Sequence, residues 1–277
     1  MVKIITDTST LFNVDEGNKL GIHVIPLCIS INNLQLRDLQ FDINIFKKEL
    51  QKGIVPTSSQ PPIGEVVNAY ESYEGEEILN ICMADGLSGT YQSALSAREL
   101  AKNTKDIHVL NSTTLCGPHR YLVQKAIKLK NEGKNVKEII EGLQDSMKHS
   151  DSFLIPQDFE FLKRGGRLKP AAATIGGLLR IKPIMKLVDG GKRLDKFSIA
   201  RSEDGVINTI LKYFEEKGVD ENYLIHISHA DVLEFAEKFK NRMKERFRKT
   251  EIELFDLSAA FITQGGPKCI AVQYIKK

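Results

Sequence analysis

A chain of 277 residues, 42% hydrophobic and 27% charged, can bury a substantial core and is long enough for two domains of ordinary size. Lys and Arg total 39 against 36 Asp and Glu, and a formal balance of +3 lacks the bias that marks nucleic acid or an anionic membrane as a main partner. The opening MVKIITDTST has neither the apolar length nor the cleavage pattern of a signal peptide, and no uncharged apolar run approaches the roughly 20 residues that cross a bilayer. A cytoplasmic protein with at most transient membrane contact is expected.

The first half alternates strand-like and helical stretches. VKIITDTS, IHVIPLCISI, EEILNICMA and DIHVLNS read as strands from their β-branched content. Tyr91, Leu95 and Leu100 mark one intervening helix, and Tyr121, Leu122, Ala126, Ile127 and Leu129 another. This alternation predicts an α/β domain built on a mainly parallel sheet. NVKEIIEGLQDSMKHS forms a further helix, with Asn135 as its N-cap and a basic last turn that suits the helix dipole. A boundary near residue 150 divides the chain into domains at 1–150 and 151–277.

Beyond that boundary DSFLIP reads as a strand and PQDFEFLKRGG as a short helix. IKPIMKLVDGGKRLDKFSIAR reads as a hairpin turning at Asp189-Gly190-Gly191, so antiparallel pairing enters. SEDGVINTILKYFEEKG and DVLEFAEKFKNRMKERF are amphipathic helices on either side of the strand NYLIHISHA, and EIELFDL and CIAVQYI complete a mixed sheet. Cys28, Cys82, Cys116 and Cys269 stand far apart, three of them in or beside strand-like runs, and read as small core hydrophobes. With no CxxC pair or Cys/His cluster at ligand spacing, neither a metal nor a cofactor is expected.

Five segments carry polar groups at turns between these elements. Thr6-Asp7-Thr8-Ser9-Thr10 ends the first strand; it suits a helix cap or an anion site, and Asp7 also suits an acceptor bridging loops at the sheet's carboxyl edge. Thr57, Ser58 and Ser59 lie between prolines ahead of IGEVVNAYESY, either as a helix cap or as donors to a carboxylate. In Asp85-Gly86-Leu87-Ser88-Gly89-Thr90, Gly89 permits close backbone approach while Ser88 and Thr90 bring hydroxyls to a strand's carboxyl end. The pattern is neither a Walker loop nor GxGxxG nor GxSxG. A serine-dependent acyl hydrolase using Ser88 would need His23, His108, His119, His149, His226 or His229 beside it. Phe159 to Leu168 combines a helix with a basic Gly-Gly-Arg end, and the small apolar run from Ala171 to Leu179 either lines a cavity or packs a core. Ile262 to Lys268 reads as a turn between two strands, with Gln264 offering an uncharged amide.

In this order TDTST, SSQPP, LSGTYQSA, LKRGGR with IKPI, and the late GGP turn resemble the DegV family across nearly the whole chain. The resemblance implies two α/β domains, an N-terminal parallel three-layer domain and a C-terminal mixed-sheet domain, with an acyl-chain pocket near their interface. It implies a non-catalytic protein that binds a long-chain fatty acid such as palmitate, stearate or oleate. In many Firmicute bacteria such proteins present the carboxylate to an ATP-dependent fatty acid kinase. Carried over by motif, Ser58, with Thr57 beside it, and Ser88 hold the carboxylate. Gln264 stands where the family has a histidine, so the third group brings neither a proton nor a charge. Asp7, Ser59, Gly89, Thr90, Arg167, Ile175 and Gly265 are expected around the pocket, and Arg201 on the kinase-facing surface.

Overall fold

The computed structural model describes residues 2–174 and 181–277, so Ile175 and most of the Ala171 to Leu179 run lie outside the described residues. The chain forms two compact units. One takes in the chain as far as Lys148 together with Ser258–Ala260; the other comprises His149–Leu257 and Phe261–Lys277.

The first unit runs β1 (Val2–Asp7), a 3-10 turn (Thr8–Thr10), α1 (Val14–Lys19), β2 (His23–Ile25), β3 (Cys28–Ile31), β4 (Leu34–Arg37), α2 (Ile43–Gln51), β5 (Thr57–Ser59) and α3 (Ile63–Glu71). It continues through β6 (Glu77–Cys82), α4 (Thr90–Leu100), β7 (Ile107–Asn111), α5 (Cys116–Asn131) and α6 (Val136–Lys148). Strands β2-β1-β6-β7 pair in that order, all parallel. Ile5, Ile78, Cys82 and Ile107 pack with Val66, Ala69 and Tyr70 of α3 and Ala94 and Ala97 of α4. Alternation along the strands sends Ile4, Thr6, Leu79 and Ile81 to the opposite face, where α5 packs on β1 and α6 on β6. Three layers result.

The structure corrects two local expectations in this unit. IHVIPLCISI is not one strand: β2 stays in the parallel sheet, whereas β3 joins an antiparallel sheet in the order β4-β3-β5. Pro26 has no N–H for the first ladder, and Leu27 N–H donates to Thr8 Oγ1 at 3.1 Å, so the chain leaves one sheet there and enters the next. On α4 the buried face is Ala94 and Ala97, followed by Ala101, whereas Leu100 is 65% exposed. Tyr70 Oη donates to Ala94 O at 3.3 Å, an approach close enough that small side chains serve where a longer apolar stripe was expected. At α6 Asn135 caps as expected: Glu138 N–H donates to Asn135 Oδ1 and Asn135 N–H to Glu138 Oε2, both at 3.0 Å.

The second unit contains β8 (Ser150–Ile155), α7 (Phe159–Arg164), β9 (Lys182–Val188), β10 (Arg193–Ala200), α8 (Glu203–Glu216), β11 (Tyr223–His229), α9 (Leu233–Arg246), β12 (Glu251–Asp256) and β13 (Ile270–Lys276). Ahead of β13 lies α10 (Ala259–Gly265), whose first two residues belong to the first unit. The sheet order is β10-β9-β8-β13-β11-β12, antiparallel except for the parallel pair β11 and β12. The β9–β10 hairpin turns at Asp189, Gly190 and Gly191 with φ of 55°, 65° and 88°, a left-handed run that glycine makes accessible.

One face of this sheet is a large apolar core. Phe153, Ile155, Ile184, Ile225, Ile227, Ile270 and Val272 meet Val206, Ile207, Ile210 and Phe214 of α8 and Phe235 and Phe239 of α9. The other face carries a polar row: register places Glu253, His226, Gln273 and Ser152 side by side across β12, β11, β13 and β8. Glu253 Oε2 lies 3.1 Å from His226 Nε2, and Gln273 Nε2 donates to Ser152 Oγ at 2.7 Å.

At the rim of the apolar face Asp151 accepts from Lys186 Nζ at 2.8 Å, Tyr213 Oη at 2.8 Å and Tyr274 Oη at 2.7 Å. Burial, then the neighbouring Asp151 carboxylate, pushes the Tyr213 phenol up to about 12. Asp151→Ala removes the acceptor common to one ammonium and two phenols. It is expected to cost about 2–3 kcal/mol, measured as the shift in urea-unfolding midpoint, with Asp151→Asn recovering part of the loss.

Candidate functional site

Parallel strands end together, so the carboxyl edge of β2-β1-β6-β7 is where loops converge and where N–H groups leaving the ladder need new acceptors. The TDTST segment supplies them. Asp7, 2% exposed, accepts Ser9 N–H on Oδ1 at 2.8 Å and Met83 N–H on Oδ2 at 3.1 Å, bridging the ends of β1 and β6. The three hydroxyls after it each have a separate task. Thr8 Oγ1 accepts from Leu27 N–H, Ser9 Oγ lies 2.8 Å from His119 Nδ1, and Thr10 Oγ1 donates to Asp7 O at 3.0 Å while accepting from Phe12 N–H. The segment is a buried hub of internal bonds, and the Asp7 cap serves a 3-10 turn of three residues.

The Ser88 loop leaves β6 under the same constraint. Ala84 N–H donates to Thr114 O at 2.8 Å and Asp85 N–H to Asn111 Oδ1 at 3.1 Å, so the loop is tied to the connection between β7 and α5. Gly86, with φ of 89°, makes the turn. Ser88 Oγ lies 2.8 Å from Thr90 Oγ1 and accepts weakly from Thr90 N–H at 3.3 Å. Among the described residues no histidine is hydrogen-bonded to Ser88; the histidine that meets a serine hydroxyl is His119, at Ser9.

Thr57, Ser58 and Ser59 form strand β5, and this corrects the capping expectation for them. The N-cap of α3 is Pro62, with no side-chain cap bond, and that of α4 is Gly89, also without one. Ser58 pairs with Ile29 and Ser59 with Cys28, so alternation puts Ser58 on the face of the fully buried Ile29 and Ser59 on that of Cys28. A cleft of about 530 Å³ opens on the Ser59 side, with Gln60, Pro62, Gly89, Gln92 and Ser93 in its walls. There the SSQPP and SGT segments touch: a Cβ built on Gly89 would stand 3.0 Å from Gln60 Oε1.

In the second unit the LKRGG and QGGP segments also meet. A Cβ on Gly165 would stand 2.6 Å from Gln264 Oε1 and 3.2 Å from Leu162 O, and one on Gly266 would stand 3.2 Å from Phe161 Cβ. Gln264 and Gly265 end α10, a correction to the expected turn between two strands; the turn is confined to the following residues, where Gly266 and Lys268 have φ of 82° and 62°. Arg167 Nη1 donates to Gly165 O, and burial followed by the charge of Arg193 lowers its guanidinium pKa. Arg201 follows β10 and is exposed.

Two residues outside the five polar segments organise the first unit. His119 was one of six histidines with no placement, and Asp38 sits in a stretch, LRDLQ, that carries no motif. Asp38 is fully buried, accepting Ala260 N–H on Oδ1 at 3.1 Å and Ser258 Oγ–H on Oδ2 at 2.8 Å. A carboxylate 222 residues away in sequence thus receives an N–H of the first turn of α10.

A family model described as uncharacterised protein, DegV family, matches residues 1–277. The chain belongs to the DegV family. A DegV domain-containing protein of Staphylococcus aureus (strain N315) is 30% identical over 279 residues, covering 99% of this chain and 98% of the relative. The structure of DegV, a fatty acid binding protein from Bacillus subtilis, matches with a TM-score of 0.86 at 28% identity, covering 100% of this chain and 99% of that one. A fatty-acid-binding DegV family protein from Thermus thermophilus matches at 0.88 and 25% identity, with the same coverage. The α/β fold, with one parallel sheet and one mixed six-stranded sheet, is the DegV fold.

Burial pushes the Asp38 carboxyl up from 3.8 to about 6, against hydrogen bonds from Ser258, Ala260 and Thr8 that pull it down; the nearby Asp7 charge adds to the rise. Between those values the folded protein holds a proton that the unfolded chain has released. This group therefore makes the fold more stable as pH falls from about 7 towards 4, by on the order of 3 kcal/mol in all. Asp38→Asn removes that slope. Urea unfolding at pH 7.5, 6 and 4.5 is expected to show wild type gaining on Asp38→Asn at each step down; parallel profiles would contradict it.

Proposed function

We propose that this chain binds one long-chain fatty acid, such as palmitate, stearate or oleate, and presents its carboxylate to an ATP-dependent fatty acid kinase. The observation that carries the reading is the meeting of the SSQPP segment with the SGT loop at Gln60 and Gly89 in the first unit, beside a cleft that Ser59 lines and that Ser58 and Ser88 do not. Both segments belong to a family whose B. subtilis and T. thermophilus members are fatty-acid-binding proteins. Ser58 and Ser88 are the proposed carboxylate donors, with Thr57 beside the first and Thr90 behind the second. At the third position of the motif set this chain has Gln264, whose amide can donate a hydrogen bond but no charge.

The energetics suit a tail-driven ligand. About fourteen buried methylenes at roughly 0.8 kcal/mol each give about 11 kcal/mol of gross driving force before ordering costs. Neutral donors then orient the head without the strong clamp that an Arg or Lys pair would impose, which keeps the carboxylate reactive toward a phosphoryl donor. ATP, metal and catalytic groups come from the partner in this reading. The alternative of a serine hydrolase has no observation in its favour, because Ser88 is partnered by a hydroxyl and not by a base.

Organic extraction of the purified protein, followed by mass spectrometry, is expected to yield a C16–C18 fatty acid. An empty protein that also takes up no added oleate or palmitate overturns the reading. Ser88→Ala is expected to weaken palmitate binding about 10- to 100-fold, the range for losing a hydrogen bond to a charged group. With a fatty acid kinase and ATP added, trapping by hydroxylamine is expected to give the acyl hydroxamate; without it the role is that of a carrier alone.

A further inference from the structure

Ser88 sits on a loop whose position is decided several residues earlier, where β6 ends. Three groups act there on the backbone. Thr6 Oγ1 donates to Ile81 O at 2.8 Å, His119 Nε2 lies 3.1 Å from the same carbonyl, and Asp7 Oδ2 takes Met83 N–H at 3.1 Å. Geometry fixes the imidazole tautomer. A carbonyl oxygen only accepts, so Nε2 carries the proton; Nδ1 is then the acceptor and receives the hydroxyl proton of Ser9 at 2.8 Å. Burial lowers the His119 pKa from its ordinary value, with the Asp7 charge and the bond to Ile81 opposing, which keeps the neutral form dominant at physiological pH.

Ser9 and His119 are both fully enclosed, so this serine and histidine are not a nucleophile and base awaiting a substrate. Asp7 points its oxygens at backbone N–H groups and leaves the imidazole to Ser9, Thr6 and Ile81. The pair instead links the turn after β1, through α5, to the end of β6. Seven residues downstream of Ile81 lies Ser88. Ala84 and Asp85, which lie between them, donate to Thr114 O and to Asn111 Oδ1, so the start of the loop is tied to the stretch that leads into the helix carrying His119.

We propose that Ser9 and His119 are positioning residues that set Ser88 at the height and orientation from which its hydroxyl meets a ligand carboxylate. The proposal rests on the reading of Ser88 as a carboxylate donor, and it adds that head-group recognition is controlled by a buried pair that does not touch the ligand. A role in stability alone would weaken all ligands together. A positioning role weakens the acid more than its uncharged counterpart.

The test is the ratio of affinities for palmitic acid and hexadecanol, measured by competition against a fluorescent acyl probe, in wild type, Ser88→Ala, Ser9→Ala, His119→Phe and His119→Gln. Ser9→Ala and His119→Phe are expected to lower the acid-over-alcohol preference about tenfold. His119→Gln, whose amide can still donate to Ile81 O, is expected to keep most of it. Ser9→Ala deletes a single oxygen and carries the test if His119→Phe does not fold. A preference lowered by Ser88→Ala but unchanged in folded Ser9→Ala overturns the positioning role and leaves the Ser88 reading intact. A preference unchanged in Ser88→Ala overturns that reading and this proposal with it.

Discussion

Where a parallel sheet stops, backbone N–H groups emerge from the ladder without partners, and satisfying them decides the shape of everything that follows. At the end of β6 three come in succession, on Met83, Ala84 and Asp85, and they are received by Asp7, by Thr114 O and by Asn111 Oδ1. The acceptors come from two neighbouring strands' ends, so the loop cannot shift without breaking bonds to both. The same constraint explains the crowding of hydroxyls in TDTST. Thr8, Ser9 and Thr10 are all buried because each completes a bond that the edge leaves open.

Which parts of this were legible in the sequence follows from the range of the interactions involved. Asn135 was readable because cap and helix lie three residues apart, and the β9–β10 hairpin because Asp189-Gly190-Gly191 is itself the turn. The parallel sheet was readable from repeated strand and helix alternation. What escaped was set at long range. Pro26 breaks a run that looks continuous because a second sheet, assembled with Thr57–Ser59, lies ready to receive Cys28–Ile31. The start of α10 escaped because an acceptor for Ala260 N–H is Asp38, far back in the chain. For the candidate site, motif resemblance singles out Ser58 and Ser88 as proposed donors, while the partners of His119, with no motif around it, were visible only once β1, β6 and α5 stood together.

The two sheets solve their burial differently, and the difference marks where polar chemistry can persist. In the first unit helices cover both faces, and strand side chains on both are mostly apolar. In the second unit α8 and α9 take one face, while the other carries Glu253, His226, Gln273 and Ser152 in register. A polar row of this kind tolerates burial because its members meet one another, as Gln273 does Ser152 and His226 does Glu253. Sequence alternation within β11 and β13 held the clue, but only the pairing register turns four separate polar residues into a row.

Ser88 differs from the buried hydroxyls of TDTST in the kind of partner it has. Ser9 faces an imidazole nitrogen that only accepts in its neutral form, so the direction of that proton is fixed. Ser88 faces Thr90, another hydroxyl, and either oxygen can act as donor. If Thr90 donates to Ser88 Oγ, the Ser88 proton is released toward whatever stands in front of it, and the bond behind polarises the one ahead. In that arrangement the Thr90 N–H that also points at Ser88 Oγ adds to the effect, and the serine is the stronger donor while staying neutral. In the proposed carrier role such a group recognises a carboxylate head and later parts from it, which a fixed positive charge would resist.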